Sequence, residues 1–419
     1  MPSSIDQPCV ETLDVRLGSD HHPHPAPRAL AFWLVAVAFA VAMLGTTLPT
    51  PLYVIYQAQW HFAAGVTTVV YAMYALGVLI SLLFLGRVSD QIGRRPVWAG
   101  ALALAAVSTV IFILATDVAM LMVARALSGL AAGVVTGTAT AALSELVRDG
   151  NGRRAALIAT TVNMGGLGLG PLLAGFLAQY APAPTVLVFL VYIGLLVVAA
   201  AAIWVVPETV TSRGRLSLRF SGLGVPANVR CEFASAGLAA FCAFTLLGLF
   251  SALAPSFLGG VLHEHNEALG GAVVFLIFAT AVATQLALHR LASRVAMGAG
   301  LGWLLAGLAV IMVGLSQASL LAFVLGTAVS GVGVGLVFMG SLATANRLAP
   351  PERRGQVVST YFVAAYLGLI IPVIGVGVAS QHVGDFRATL VCSIVVAVLV
   401  AIAGGSLAKD TSGKRSRLE

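Results

Sequence analysis

Twelve apolar runs, each about long enough to cross a bilayer as a helix, dominate this chain of 419 residues. Their approximate limits are 29–49, 67–86, 97–116, 119–143, 156–179, 185–206, 234–258, 271–289, 298–316, 319–345, 357–380 and 387–407. Lipid offers no partner to a free backbone N–H or C=O, so each run must be a helix rather than an open strand. Composition agrees. With 59% apolar and 9% charged residues, water cannot solvate the surface of a soluble fold built from this chain. The expectation is an all-α polytopic protein with twelve transmembrane helices and the lipid bilayer as its solvent.

The few charges fix the orientation. Of the 23 Lys and Arg residues, 21 fall in the tails and in loops on one side of the runs. Arg387 alone lies on the other side, and Arg125 falls inside a run. Basic loops stay in the cytoplasm, so both termini are expected there, in a multi-pass protein of the cell (inner) membrane. These cations are scattered through short loops rather than gathered on one face, which argues against nucleic acid as a partner. Residues 1–28 read as a disordered cytoplasmic tail without the apolar segment of a signal peptide; their three histidines read as part of a solvated stretch. Cys9, Cys231, Cys242 and Cys392 show no CxxC spacing, so neither a metal site nor a disulfide framework is expected.

The chain also repeats itself. "SGLAAG" at Ser128 matches "SGVGVG" at Ser330, "GRRAA" at Gly152 matches "ERRGQ" at Glu352, and Pro171 matches Pro372. "PET" at Pro207 matches "KDT" at Lys409, and all four matches lie at offsets of 200 to 202. A constant offset implies two parallel six-helix halves. The expected division is an N-terminal half at 29–206, a cytoplasmic linker at 207–233, a C-terminal half at 234–407 and a tail at 408–419.

Several short motifs then fall at the ends of particular runs. "GRVSDQIGRR" (Gly86–Arg95) joins spans 2 and 3, "RALSG" (Arg125–Gly129) lies in span 4, and "GGLGLGPLLAG" (Gly165–Gly175) lies in span 5. "PET" closes span 6. Together, in this order, they resemble the major facilitator superfamily over about residues 29–408, with Val88 and Gln91 departing from its first motif. The resemblance implies a two-half bundle that works by alternating access, and a cytoplasmic gate made by Gly86, Asp90, Gly93, Arg94, Arg95 and Glu145. In that gate Asp90 would face the start of span 11 near Gln356, and Arg94 would pair with Glu145. The resemblance also gives Arg125 a role in proton coupling. It makes Gly166, Gly170, Pro171 and Gly175 the packing motif of drug:proton antiporters. It further implies a monomer, with protons as a coupling partner.

A solute site near the midplane should be lined by polar and aromatic residues of the inner spans. Candidates are Thr46, Thr47, Tyr53, Tyr71, Tyr74, Asn163, Phe241, Phe244, Phe278, Gln285, Phe338, Asn346, Tyr361 and Tyr366. Such a wall suits a neutral or weakly charged amphipathic small molecule. No Asp or Glu falls in the middle of a span, which turns the reading from strongly cationic solutes toward anionic or neutral ones. Proton coupling would then use the Asp90/Glu145 region or a histidine such as His289, or be absent. No GxxxxGK[ST], HExxH or GxSxG constellation is present, so no enzyme activity and no cofactor are expected. The leading reading is proton-coupled efflux of drugs or metabolites. Uptake of a neutral nutrient such as a sugar or nucleoside is the alternative, and a non-transporting sensor is a remote one.

Overall fold

The computed structural model describes residues 27–86, 88–147, 152–210, 222–260, 262, 264, 266–350 and 353–415. Most of the N-terminal tail, with Cys9 and its histidines, lies outside the described residues. So do Arg87, Arg148 and linker residues 211–221.

Among the described residues, twelve helices are long and apolar enough to cross a membrane. Span 1 is made of α1 (Arg28–Thr47) and α2 (Leu52–Trp60). Spans 2 to 6 are α3 (Ala64–Phe84), α5 (Arg94–Leu114), α6 (Val118–Leu146), α7 (Gly152–Tyr180) and α8 (Pro184–Val205), with the short α4 (Val88–Ile92) before α5. Spans 7 to 12 are α9 (Arg230–Gly260), α10 (Glu267–Ala287), α11 (Ser293–Ser316), α12 (Leu320–Leu348), α13 (Arg354–Val383) and α14 (Asp385–Arg415).

Span 1 departs from its expected end at 49. Pro49 and Pro51 remove the N–H groups that would bond the carbonyls of Gly45 and Thr47, so the helix breaks. The backbone turns through Thr50 N–H to Thr47 O (3.0 Å) and resumes as α2. The polar "QAQW" at the end of α2 hides this continuation from a hydropathy reading. Span 7 also begins earlier than expected, at Arg230.

Two buried apolar clusters hold the bundle. One is built wholly from spans 1 to 6. The other comes from spans 7 to 12, with Tyr71, Ala75 and Met164 reaching in from the first half. The halves meet along two seams, α7 against α10 and α3 against α13. Glycine makes both seams possible, because without a side chain the backbones approach closely. In α7, Gly166 lies against Ala40 and Met43 of α1, and Gly175 lies against Gly271 of α10. In α13, Gly368 lies against Phe241 of α9, and Gly377 against Thr68 of α3. Gly368 and Gly377 stand 202 residues beyond Gly166 and Gly175, so the internal repeat is also a repeat of packing partners.

Capping side chains set the helix starts on the face opposite the basic loops. Asp117 accepts from Met120 N–H (2.8 Å) and Asn266 from Leu269 N–H (3.1 Å).

Candidate functional site

The charged motif between spans 2 and 3 forms a network within the first half, on the face that carries the basic loops. Arg94 is a largely buried cation at the first turn of α5. Its Nη2 and Nε donate to Glu145 at the end of α6 (2.7 and 3.4 Å), and its Nη1 donates to Ser89 (2.6 Å). The same Nη1 pairs with Asp90 (2.5 Å). Thr209 donates to Oε2 of Glu145, the oxygen that also accepts from Arg94 Nε. Gly93 turns with φ at 107°, a conformation that glycine adopts without strain.

Glu208, the acid of "PET", caps α5 from across the bundle. Its two oxygens accept the N–H groups of Arg94 (2.9 Å) and Arg95 (3.0 Å). A carboxylate there satisfies two orphan donors and meets the positive helix end. The recurrence of "PET" was the only signal for this contact in the sequence, and it named no partner.

Asp90 does not sit as the sequence reading placed it. Its side chain is 58% exposed, and its ion pair is with Arg94 on the next turn. Gln356, at the start of α13, instead faces Gly222 of the linker, and Thr360 accepts from Gly224 N–H (3.1 Å). The second half does not copy the network. Arg347 occupies the position 202 residues after Glu145 and pairs with Glu232 of α9 (2.5 Å).

Arg125 is fully buried, with 0% exposure. Its Nε donates to the Tyr53 hydroxyl, and its Nη1 donates to the carbonyl of Thr46. That carbonyl is left free by the proline break in span 1, since Thr50 N–H turns to Thr47 instead. Four rings surround the guanidinium, with centroids 5.1 Å (Tyr53), 5.6 Å (Tyr71), 5.9 Å (Phe112) and 6.0 Å (Tyr74) away. A bare cation at this depth costs about 2.5–3.5 kcal/mol even by lenient scales. Charge-assisted hydrogen bonds of about 1.5–3 kcal/mol each and cation–π contacts of about 0.5–2 kcal/mol offset that cost. Nη2 has no hydrogen-bond partner.

The other candidates divide. Tyr74 interacts with Tyr366 across the seam. Tyr366 in turn packs edge-on against Phe244 (5.5 Å), which lies against Phe338 (5.9 Å). An aromatic strip therefore runs from the Arg125 cage into the second half. Phe278 packs against Gly168, and Gln285 donates to Met164 Sδ (3.0 Å), both on the α7–α10 seam. Thr47 is spent on Leu167 O (2.6 Å), Tyr361 on Ser341 (2.8 Å), and Phe241 meets Gly368. These three join helices rather than line space. Asn163 is half-buried on α7.

Asn346 borders a cavity of about 780 Å³ at the basic-face ends of α7, α12 and the α10–α11 connection. Arg154, Thr160, His289, Arg290 and Met339 share its wall, and no acid among the described residues lines it. Sequence reading named only Asn346 and His289 here, because the others are ordinary loop or helix residues until three elements converge. On the opposite face the two seams close the bundle, with Gly65 and Gly377 against Gln381 and Thr68.

The cephamycin export protein CmcT of Amycolatopsis lactamdurans is 30% identical over 319 residues, covering 72% of this chain and 59% of that protein. A uridine/deoxyuridine transporter of Lactococcus lactis is 34% identical over 154 residues, 36% of this chain and 32% of that one. The chain thus spans less than two thirds of the length of either relative. The solved nucleoside transporter NupG shares the fold at a TM-score of 0.70 and 11% identity, over 90% of this chain and 99% of that one. The model of the Major Facilitator Superfamily matches residues 35–371 and 236–419, and with the paired six-helix halves this shows that the chain belongs to that superfamily of transporters.

Proposed function

We propose that this transporter exports small organic molecules from the cytoplasm, driven by proton entry. The carrying observation is the match to the cephamycin exporter, which runs through 72% of the chain. The span-5 glycines support it. Gly166 and Gly170 seat α7 on α1, while Pro171 and Gly175 seat it on α10, so one helix ties a half to its neighbour. With the arginine-rich face in the cytoplasm of the cell membrane, the 780 Å³ cavity opens inward and the seams seal the outside. In the alternate state the mouth closes, and Asp90, now exposed, engages the start of α13 as a latch. Arg94, Arg95, Gly86, Gly93 and Glu145 hold it in place. Arg125 links proton movement to the solute site, and the unit is a monomer.

A second reading, nucleoside uptake, is favoured by the 34% identity to the uridine/deoxyuridine transporter over span-rich sequence. The test is the full chain in vesicles of known orientation, with and without an imposed pH gradient, offered dyes, antibiotics, sugars and nucleosides. Everted vesicles with an acid interior should accumulate a dye or antibiotic and release it on adding a protonophore. Accumulation of uridine or a sugar by right-side-out vesicles, with no dye movement, would overturn export.

A further inference from the structure

We infer that the solute is an organic anion, and that Arg125 in its aromatic cage holds the carboxylate. This rests on the export reading and narrows it. Among the described residues, the buried charged side chains are Arg94 and Arg125, and no Asp or Glu is buried. Arg94 has Glu145 and Asp90 beside it. Arg125 has no carboxylate, only a phenol, a carbonyl and ring faces. A guanidinium presents its N–H donors in a fork that fits a carboxylate. Here the Nη2 edge of that fork is buried and unpartnered. A permanent cation at this depth attracts an anion and repels a cation through a medium of low dielectric.

The mouth on the basic face has the same polarity. Among the described residues, the cavity on the basic face is lined by Arg154, His289 and Arg290 and by no acid. An anion entering there meets a positive field, and a cation is turned back. The residues described around the guanidinium are rings and a carbonyl rather than charges. Tyr74 is both a wall of the cage and the partner of Tyr366 across the seam. Rocking of the halves that parts Tyr74 from Tyr366 uncovers the Nη2 edge. The strip of Tyr366, Phe244 and Phe338 then receives the apolar body of the solute. Carboxylate at the fork and rings along the strip define the class: an amphipathic, aromatic or otherwise bulky monoanion.

Three probes of one scaffold test this: dansyl-glycine (acid), dansyl-glycinamide (neutral) and dansyl-ethylenediamine (cation). Binding to the purified full chain is read by dansyl fluorescence, and transport is read in oriented vesicles. The wild type should bind the acid about tenfold or more tighter than the amide, the usual scale for a charge-assisted pair. It should bind the cation weakest. Arg125→Gln should bring acid and amide to equal affinity, and Arg125→Lys should keep part of the preference. Should Arg125→Gln fail to fold, the wild-type order still decides. Equal affinity for the three probes, or no binding of the acid, overturns the inference. Everted vesicles that accumulate the cation and not the acid would sink it while leaving export standing. Acid carried only by right-side-out vesicles would sink export and leave the anion site standing.

Discussion

Alternating access requires that the seal between α7 and α10 exist in one state and open in the other, and Gly271→Ala tests this at one atom. A Cβ at Gly271 would fall 3.0 Å from the carbonyl carbon of Pro171 and 3.2 Å from Gly175 Cα, with the Pro171 oxygen nearer still. All three neighbours are α7 backbone, so no rotamer change relieves the contact and the two helices must separate. Overpacking of this kind costs about 1–3 kcal/mol. The penalty falls only on the state in which the two helices touch. The balance should therefore move about 5- to 150-fold toward the state open on the face opposite the basic loops. Spin labels on the ends of α7 and α10 at that face would report the shift as a longer-distance population. Maleimide labelling of a cysteine placed at Gln179 should quicken. Gln179 sits at the seal, where its amide oxygen accepts from Glu267 N–H (2.9 Å). Unchanged distances and labelling in a well-inserted variant would refute the claim that this seam is a gate.

Asp90→Asn should slow transport severely while leaving insertion and thermal unfolding close to wild type. Asp90 is the exposed partner of its pair with Arg94, which contributes about 0–1 kcal/mol; normal turnover would remove Asp90 from the gate. Glu208→Ala should strip the cap from α5 and lower stability by about 0.5–2 kcal/mol, read as a reduced unfolding midpoint in detergent. An unchanged midpoint would mean that water replaces the carboxylate at Arg94 and Arg95 without loss.

Much of this architecture was legible before any coordinates. Periodic apolar length gave the spans, and the 202-residue offset gave the paired halves. The Arg94–Glu145 contact was named because the motif between spans 2 and 3 resembles a known cytoplasmic gate, and Glu145 is an acid at the same end of span 4. What stayed illegible was set by distant contacts. Thr47 and Tyr361 look like cavity residues in sequence, since a hydroxyl on an inner helix reads the same whether it faces space or a carbonyl. Glu208 looked like a loop acid, and nothing local ties it to a helix start more than 100 residues earlier. The proline break in span 1 was visible as "LPTPL", but its use as an acceptor for Arg125 depends on spans 1 and 4 meeting.

The sequence by itself determined how many times the chain crosses lipid and that it does so twice over, because hydrocarbon forces every crossing segment into an apolar helix. Tertiary structure alone decided which face of the bundle stands open, where Asp90 points and what surrounds Arg125. Those outcomes turn on which helix faces touch, and alternative packings of the same helices differ by only a few kcal/mol, too little for local sequence to specify.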